Sequence, residues 1–496
     1  MVLALGCSED ILRNDGVTGD SQPTEFITSA QLTDGTLTNP EIPAAFVTGI
    51  YSQMITVGSG GSTSQTDFGQ KGMDIMTDML SGDMALTRSS FRWYNSIANF
   101  QTSLDFTFGR NRIAWRYYYR IIRSANNVIT NLGGNDSTPT DNDSKYSMGQ
   151  AKTLRAYAYF YLTQLYQKEY VASEMILPLY LEVSSTNLPK SSAEDVYNQM
   201  EKDLRDAISL LNGFSRSAKN VVNQDIAKAF LAYVLGAKGG NDQEVARLTQ
   251  EVINSGNYQI LPENELVSTA SGVNGFNDAN SNSWMWGIDI VPGNSLGLVS
   301  WWGQVDAWSF SYGWAGDYKA MDLDLYNKIP ANDVRKGQFF DDASSGRFLQ
   351  PLFKFRAQGS TTAFGSAPRP ITSDYVYMRI EEMYLLNAEA NARAGNDIAA
   401  RRSLRALMEK RVPDVSYIDG LSGQALVDEA YLQTRIELWG EGKSFLALKR
   451  NKATSVRSTN HIFEAGTSTP YNDEKMQFEI PQDEIQNNPF IGDQNQ

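Results

Sequence analysis

The sequence predicts a mostly α-helical protein, built from antiparallel helix pairs like those of tetratricopeptide repeats and interrupted by a loop-rich, irregular insert. Apolar residues recur at three- and four-residue steps in several segments of helical length, with glycine or polar turns between them. Between residues 261 and 371 this periodicity gives way to a stretch rich in Gly, Asn, Ser and Pro. Helical periodicity returns afterwards, so we expect residues 372–496 to pack with the first helical part as one unit.

The N-terminal residues have the features of a lipoprotein signal. Residues 1–6 are apolar or small, and they precede the only cysteine of the chain, Cys7. The sequence Leu5-Gly6-Cys7 resembles a bacterial lipobox, and two acids soon after it resemble the surface-export signal of outer-membrane lipoproteins. We therefore interpret residues 1–7 as the remnant of such a signal, with lipidation at Cys7. Residues 8–43 are polar and turn-rich, and we expect them to form an extended arm.

Residues 44–260 are predicted to form the first helical part. Ser191, with Glu194 three residues later, has the form of a capping box and predicts the start of one of its helices. Glycine pairs such as Gly133-Gly134 and Gly239-Gly240 predict where helices end. The apolar stripes that mark its helices lie at 118–132, 151–165, 196–211, 226–237 and 245–253.

After residue 260 one strand and three late helical segments can be recognised. Residues 284–290 are predicted to form a buried strand, because large apolar residues make up most of this short segment. The late helical segments span 379–394, 398–411 and 425–449. A Gly-Lys-Ser sequence at 442–444 lacks the glycine spacing of a phosphate loop, and we interpret it as a bend between helices.

Composition and motif spacing exclude several kinds of chemistry. The 43 Lys and Arg against 57 Asp and Glu give a net charge of −14, which disfavours a nucleic-acid partner. With one cysteine and one histidine, the chain cannot form an internal disulfide or a zinc site of the Cys/His kind, and we expect no metal and no cofactor. Acid pairs such as Glu381-Glu382 do not provide the separation that a glycosidase needs, and His461 is expected at the surface.

Aromatic residues carry the clearest functional signal, with 9 Trp, 24 Tyr and 22 Phe in the chain. A pyranose ring stacks on an aromatic plane through its C–H face while nearby polar groups bind its hydroxyls, and rings on loops can do this. Two loop clusters qualify: the first runs from Arg88 to Tyr94, next to Asn95, and the second from Trp301 to Trp314. We expect them to form one binding surface, with Arg88 and Arg92 flanking the first cluster. For Trp301 and Trp302, ligand contact and burial in the core stay equally open. The candidate ligand-binding residues are Arg88, Trp93, Tyr94, Asn95, Trp301, Trp302, Trp308, Tyr312 and Trp314.

Five segments, taken in order, resemble the SusD/RagB family of outer-membrane nutrient-binding lipoproteins. The resemblance implies a cell-surface lipoprotein of the outer membrane that captures a glycan or peptide and passes it to a SusC-like TonB-dependent transporter. It also implies no enzymatic activity. The five segments are Trp115-Arg-Tyr-Tyr-Tyr-Arg-Ile-Ile-Arg-Ser-Ala-Asn-Asn-Val-Ile129, Leu154-Arg-Ala-Tyr-Ala-Tyr-Phe-Tyr-Leu162 with Leu177-Pro-Leu179, Arg379–Ala390, Arg435–Lys449 and Ile480–Pro489.

Oligosaccharide capture for import is the leading functional hypothesis. The alternative is a helical-repeat protein-interaction lipoprotein, or a peptide binder, without glycan affinity. A carbohydrate-cleaving enzyme is a third, weaker hypothesis, which would need two facing carboxyl groups beside the aromatic rings. Burial separates the first two, because rings exposed together favour glycan binding and rings packed under loops favour the alternative.

Overall fold

A computed structural model describes residues 39, 41–184, 186–268 and 272–495 of the chain. Cys7 and nearly all of the predicted N-terminal arm lie outside the described residues. The described part contains seventeen α-helices: α1 Glu41–Gln53, α2 Gln70–Ser81, α3 Asn95–Ala98, α4 Gln101–Leu104, α5 Arg112–Asn131, α6 Asn142–Tyr166, α7 Ala193–Leu210, α8 Gln224–Lys238, α9 Asp242–Asn254, α10 Trp301–Val305, α11 Tyr312–Ala315, α12 Leu323–Asn327, α13 Ile380–Arg393, α14 Asp397–Met408, α15 Gln424–Glu437, α16 Ser444–Arg450 and α17 Gln482–Asn487.

Eight short strands accompany the helices in the described part and form four separate two-stranded antiparallel pairs. The predicted buried strand is confirmed as β4, which is fully buried and pairs with β6. Strands therefore join segments locally, and helices make up most of the fold. The strands are β1 Met84–Ser89, β2 Met175–Pro178, β3 Lys190–Ser192, β4 Trp284–Ile288, β5 Asp317–Met321, β6 Tyr375–Arg379, β7 Thr454–Val456 and β8 Ser468–Pro470.

The predicted helical class is confirmed, and consecutive helices pack as neighbours from α5 through α9 and again from α13 to α14. Helix α9, which precedes the insert, packs directly on α13, which follows it. Local signals account for several helix ends: α5 ends just before Gly133, and Gly239 follows α8 with a left-handed φ of 80°. The described part contains no helix that is both long and apolar enough to cross a membrane.

Four local details differ from the sequence-based expectations. Helix α1 begins within the predicted arm, and Pro43 fits in its first turn, where no intrahelical N–H bond is lost. Helix α6 begins nine residues before the apolar stripe predicted at 151–165, where the Asp141 side chain accepts a hydrogen bond from the Ser144 amide at 2.8 Å. The cap of α7 is Ser192, and Ser191 lies in β3 instead. The last predicted helix is two helices, α15 and α16, separated by the expected bend.

A buried charge network holds the late helices together. Arg379, at the start of α13, is fully buried and contacts the carboxylates of Glu381, Glu437 and Glu441 at 3.0, 3.2 and 2.8 Å. Arg411 adds a second buried contact to Glu437 at 2.8 Å. These acids neutralise buried cations inside the fold, where no substrate reaches them, so they do not supply the acid and base of a hydrolase.

His461 is buried, and the expectation of a surface position was wrong. Its Nε2 lies 3.2 Å from the carboxylate of Asp322, which also accepts a hydrogen bond from the Ser458 amide at 2.8 Å. The polar segment that carries His461 thus folds back onto the start of α12. Long-range packing of that kind leaves no signature in the local sequence.

Candidate ligand-binding surface

The pairing of β1 with β5 brings the two aromatic loop clusters side by side. Ser89 lies opposite Asp317 in the register of this pair. Just beyond β1, the Phe91 amide donates to the Asp317 carboxylate at 2.7 Å, across 226 residues of sequence. Gly316 permits this approach, because a Cβ at that position would lie 2.4 Å from the Ser90 hydroxyl. The segment after β1 and the segment before β5 therefore share one face of the molecule.

These two segments carry five rings that are at least partly exposed, and we name them together the aromatic surface: Phe91, Trp93, Phe310, Tyr312 and Trp314. Tyr312 contacts Phe91 and Trp93 edge to face, with ring centroids 5.0 and 5.8 Å apart. Phe310 and Trp314 form a second pair at 5.2 Å. Phe91 is 45% exposed and Phe310 49%, while the other three rings are half-buried. Trp93 of the first cluster thus contacts Tyr312 of the second.

Hydrogen bonds from below hold the rings in place. The Arg110 guanidinium donates to the carbonyl of Trp93 at 2.7 Å, which fixes the loop that carries this ring. The Tyr312 hydroxyl hydrogen-bonds to the Gln65 side chain at 3.2 Å. The Ser311 hydroxyl accepts a hydrogen bond from the Trp314 amide at 2.8 Å and caps α11. The aromatic surface is therefore preset before any ligand arrives.

Asn95 and the arginines flank these rings. Asn95 begins α3 and is tied to the end of β1 by a hydrogen bond with Ser89. Arg88 and Arg92 are exposed, and the Arg88 guanidinium lies 5.4 Å from the ring centroid of Tyr318. Arg92 has a φ of 66°, a left-handed backbone that non-glycine residues adopt rarely and that is concentrated at functional loops.

Four of the candidate rings lie in the interior, namely Tyr94, Trp301, Trp302 and Trp308. Trp302 is 1% exposed, and its indole N–H donates to the Ser373 carbonyl at 2.8 Å. The indole N–H of Trp308 likewise donates to the Leu352 carbonyl at 2.7 Å. Burial removes these four rings from the surface that a ligand can reach. Trp301, Trp302 and Trp308 tie to the interior the segment that continues to Tyr312 and Trp314.

Several residues of this face were not among the predicted site residues. Phe91, Phe310 and Phe364 are exposed aromatic residues on the loops, whereas the predicted rings were all tryptophan or tyrosine. Arg347 and Arg369 also belong here: the Arg347 guanidinium lies 4.8 Å from the centroid of Tyr318, and that of Arg369 lies 4.6 Å from the centroid of Phe310. The sequence signal that could have identified these residues is a phenylalanine or arginine beside Gly, Ser or Asn in a loop.

Buried charges under the aromatic surface are satisfied locally. Burial raises the pKa of Asp306 to about 6, although its carboxylate accepts hydrogen bonds from the amides of Trp308 and Ser309 at 3.0 and 2.7 Å. Burial lowers the pKa of Lys319 to about 8, and its ammonium lies 4.9 Å from the centroid of Tyr94. Sugar cleavage requires two carboxyl groups that face each other beside the bound sugar. Asp306 and Lys319 are both buried and do not form such a pair, so this geometry gives no support to sugar cleavage.

A separate cleft of about 600 Å³ lies along α5. Its walls include Trp115, Tyr119 and Tyr180, with the exposed residues Arg120 and Arg123 at its rim. None of its lining residues belongs to the aromatic surface. The cleft and the aromatic surface are thus separate features of the molecule.

Comparison with known families identifies the fold. Residues 61–235 match a SusD-like family model described as starch-binding associating with outer membrane, and residues 342–496 match the model of the SusD family. The chain belongs to the SusD family. The resemblance predicted from its five sequence segments is confirmed, as is the expectation of a binding protein and not an enzyme. Tyr312 and Trp314 lie between the two matched segments.

Solved SusD-family structures share this fold. A SusD superfamily protein from Bacteroides vulgatus matches with a TM-score of 0.76 and 21% identity, covering 92% of this chain and 98% of that one. A SusD-like carbohydrate-binding protein from the same species matches at 0.74 and 22%, covering 91% and 97%. Surface glycan-binding protein A from Bacteroides uniformis matches at 0.64 and 19%, covering 92% and 99%. No curated protein matches the chain.

Proposed function

We propose that this SusD-family chain binds an oligosaccharide at the bacterial cell surface through the aromatic surface. The observation that carries the proposal is the preset group of Phe91, Trp93 and Tyr312. The ring centroid of Tyr312 lies 5.0 Å from that of Phe91 and 5.8 Å from that of Trp93. Sugar rings stack on such planes, and the flanking Asn95 and Arg88 supply hydrogen-bond partners for hydroxyls. The carbohydrate-binding descriptions of SusD-family relatives support the same ligand class.

More than one ring is needed for useful affinity. A single stacking contact adds only about 1 kcal/mol beyond burial, and it must offset the entropy lost when a flexible chain is immobilised. Because the rings are held by Arg110, Gln65 and Ser311, little of their own freedom is lost on binding. An extended ligand can therefore add contacts across the face without a new ordering cost at each ring.

Alanine variants of Trp93 and Tyr312 test the proposal against a glycan panel. Each variant should weaken binding of the best glycan at least about tenfold, or about 1.4 kcal/mol, by isothermal titration calorimetry. Phe490→Ala is the matched control, because Phe490 is 56% exposed and lies outside the aromatic surface. Affinity that stays unchanged in both site variants would place the glycan site elsewhere. Binding of peptides alone would support the alternative, a protein- or peptide-interaction role.

We further propose that the chain passes its ligand to a SusC-like TonB-dependent transporter. The family description of association with the outer membrane supports this partner. Purification of the tagged chain from its native outer membrane should co-isolate a TonB-dependent barrel. Recovery of the chain with no barrel, under detergent that preserves other outer-membrane complexes, would contradict the proposal.

Attachment to the membrane through a lipid on Cys7 completes the proposed function. The lipobox-like sequence before Cys7 supports it. Behind a full signal peptide, Cys7→Ala should release folded protein from the membrane, and Cys7→Ser should behave in the same way because a hydroxyl does not accept the lipid. Membrane retention of both variants that only detergent reverses would refute a lipid anchor at this residue.

A further inference from the structure

Arginines without a carboxylate partner cluster at the aromatic surface. Arg88 lies near the end of β1, Arg92, Arg347 and Arg369 lie on the loops of this surface, and Arg356 lies beneath it, 3.9 Å from the ring centroid of Trp308. Within the described part of the chain, none of the five has a carboxylate within 4.0 Å. Elsewhere several arginines are fully paired, as in the network around Arg379. The face that carries the rings therefore has an unneutralised positive charge.

Two of these guanidiniums share one ring. Arg88 and Arg347 lie 5.4 and 4.8 Å from the centroid of Tyr318. Burial lowers the pKa of Arg347, and the like charge of Arg88 lowers it as well, while the nearby Tyr318 raises it in part. Arg347 is anchored, because it donates to the Trp314 carbonyl at 2.9 Å. The fold thus holds two like charges side by side with no internal counter-ion.

The acids buried beneath the rings accept hydrogen bonds from backbone amides. Asp317 accepts a hydrogen bond from the Phe91 amide, and Asp306 accepts from the amides of Trp308 and Ser309. Both acids are buried below the rings. Arg88 and Arg92 are exposed and donate no hydrogen bond among the described residues. Their donors are free to bind an external group.

We propose that the ligand is an acidic glycan, whose carboxylate or sulfate groups contact Arg88, Arg92 and Arg369 while its sugar rings stack on the aromatic surface. Guanidinium groups bind such oxyanions through paired, charge-assisted hydrogen bonds. A protein with a net charge of −14 repels polyanions at long range, so it needs a local cationic face to capture one. This inference rests on the proposed function and specifies its substrate class.

Binding measurements with matched polymers test the charge requirement. Polygalacturonate, alginate, hyaluronan and chondroitin sulfate are the acidic probes, and amylose, xylan, galactan and fully methyl-esterified polygalacturonate are the neutral ones. We expect at least one acidic polymer to bind, with an affinity that falls steeply as salt rises. If the acidic polymer is polygalacturonate, its methyl ester should bind at least tenfold more weakly, because only the charge has been removed.

Glutamine variants locate the charges that matter. Arg88→Gln, Arg92→Gln and Arg369→Gln should each weaken acidic binding at least fivefold, and Arg123→Gln, an exposed arginine at the cleft on α5, should not. Trp93→Ala must also weaken it, since unchanged affinity in that variant would show unspecific charge attraction and overturn the inference. Binding of neutral polymers alone would overturn the inference and leave the proposed function standing. Binding of no polymer would overturn both.

Discussion

Replacing Trp302 with alanine tests whether the interior rings of the insert support the aromatic surface. The side chain is 1% exposed and packs edge to face on Trp301, with centroids 5.0 Å apart. Trp301 in turn lies 4.4 Å from Phe355. The indole N–H of Trp302 donates to the Ser373 carbonyl at 2.8 Å. Truncation therefore removes a buried ring and leaves a buried acceptor without its partner.

The expected loss follows from both effects. A buried Trp→Ala change costs about 3–5 kcal/mol through lost transfer free energy and the cavity that remains. An unsatisfied buried carbonyl adds about 1–3 kcal/mol where water does not replace the donor. We expect the free energy of unfolding to fall by about 4 kcal/mol or more. Phe91→Ala is the contrast, because an exposed ring on the same face should cost less than about 1 kcal/mol.

Urea unfolding followed by far-UV circular dichroism measures both variants without relying on tryptophan fluorescence. In the folded Trp302 variant, glycan affinity should fall only if the loop that carries Tyr312 and Trp314 is displaced. A stability loss below about 1 kcal/mol, together with tenfold weaker glycan binding, would refute the reasoning. That result would place Trp302 at the ligand, which is the possibility that the sequence left open.

Two further predictions concern the bend between α15 and α16 and its buried charges. Gly442→Ala should destabilise the protein by more than about 2 kcal/mol in thermal unfolding, because φ is 76° and a Cβ would lie 2.5 Å from the Asp74 carboxylate. Gly239→Ala is the control: φ is 80°, but a Cβ would meet open space, so the change should cost only about 1 kcal/mol. Burial alone would raise the pKa of Glu441, but charges led by Arg379 outweigh it and lower that pKa from 4.5 to about 2. The stabilisation is therefore present above pH 4.5 and is lost as the pH falls towards 2, so Glu441→Gln should be less stable at neutral pH and show a flatter acid limb in unfolding titrations. Identical acid limbs in the unsubstituted protein and the Glu441→Gln variant would contradict the prediction for Glu441.

The two clusters show how much of the candidate binding surface the sequence predicted. It placed Trp93 and Tyr312 in one surface, because rings on loops beside polar residues suit sugar binding. It could not separate these rings from Trp302, since all three have serine and other polar residues close by in the sequence. Exposure of a ring depends on what other segments pack over it. Phe91 and Arg347 were missed for the same reason.

Local sequence determined most of the helical framework of this protein. The end of α5 before Gly133 and the strand at Trp284–Ile288 follow from patterns within a few residues, because helix and strand hydrogen bonds join near neighbours or impose a short apolar period. Motifs such as Arg435–Lys449 also indicated the family, since the packing of that framework requires them. Tertiary structure alone decided the rest. The pairing of β1 with β5, the burial of His461 against Asp322 and the arginines without counter-ions all join residues far apart in the chain, and such contacts depend on the free energy of the whole packed core.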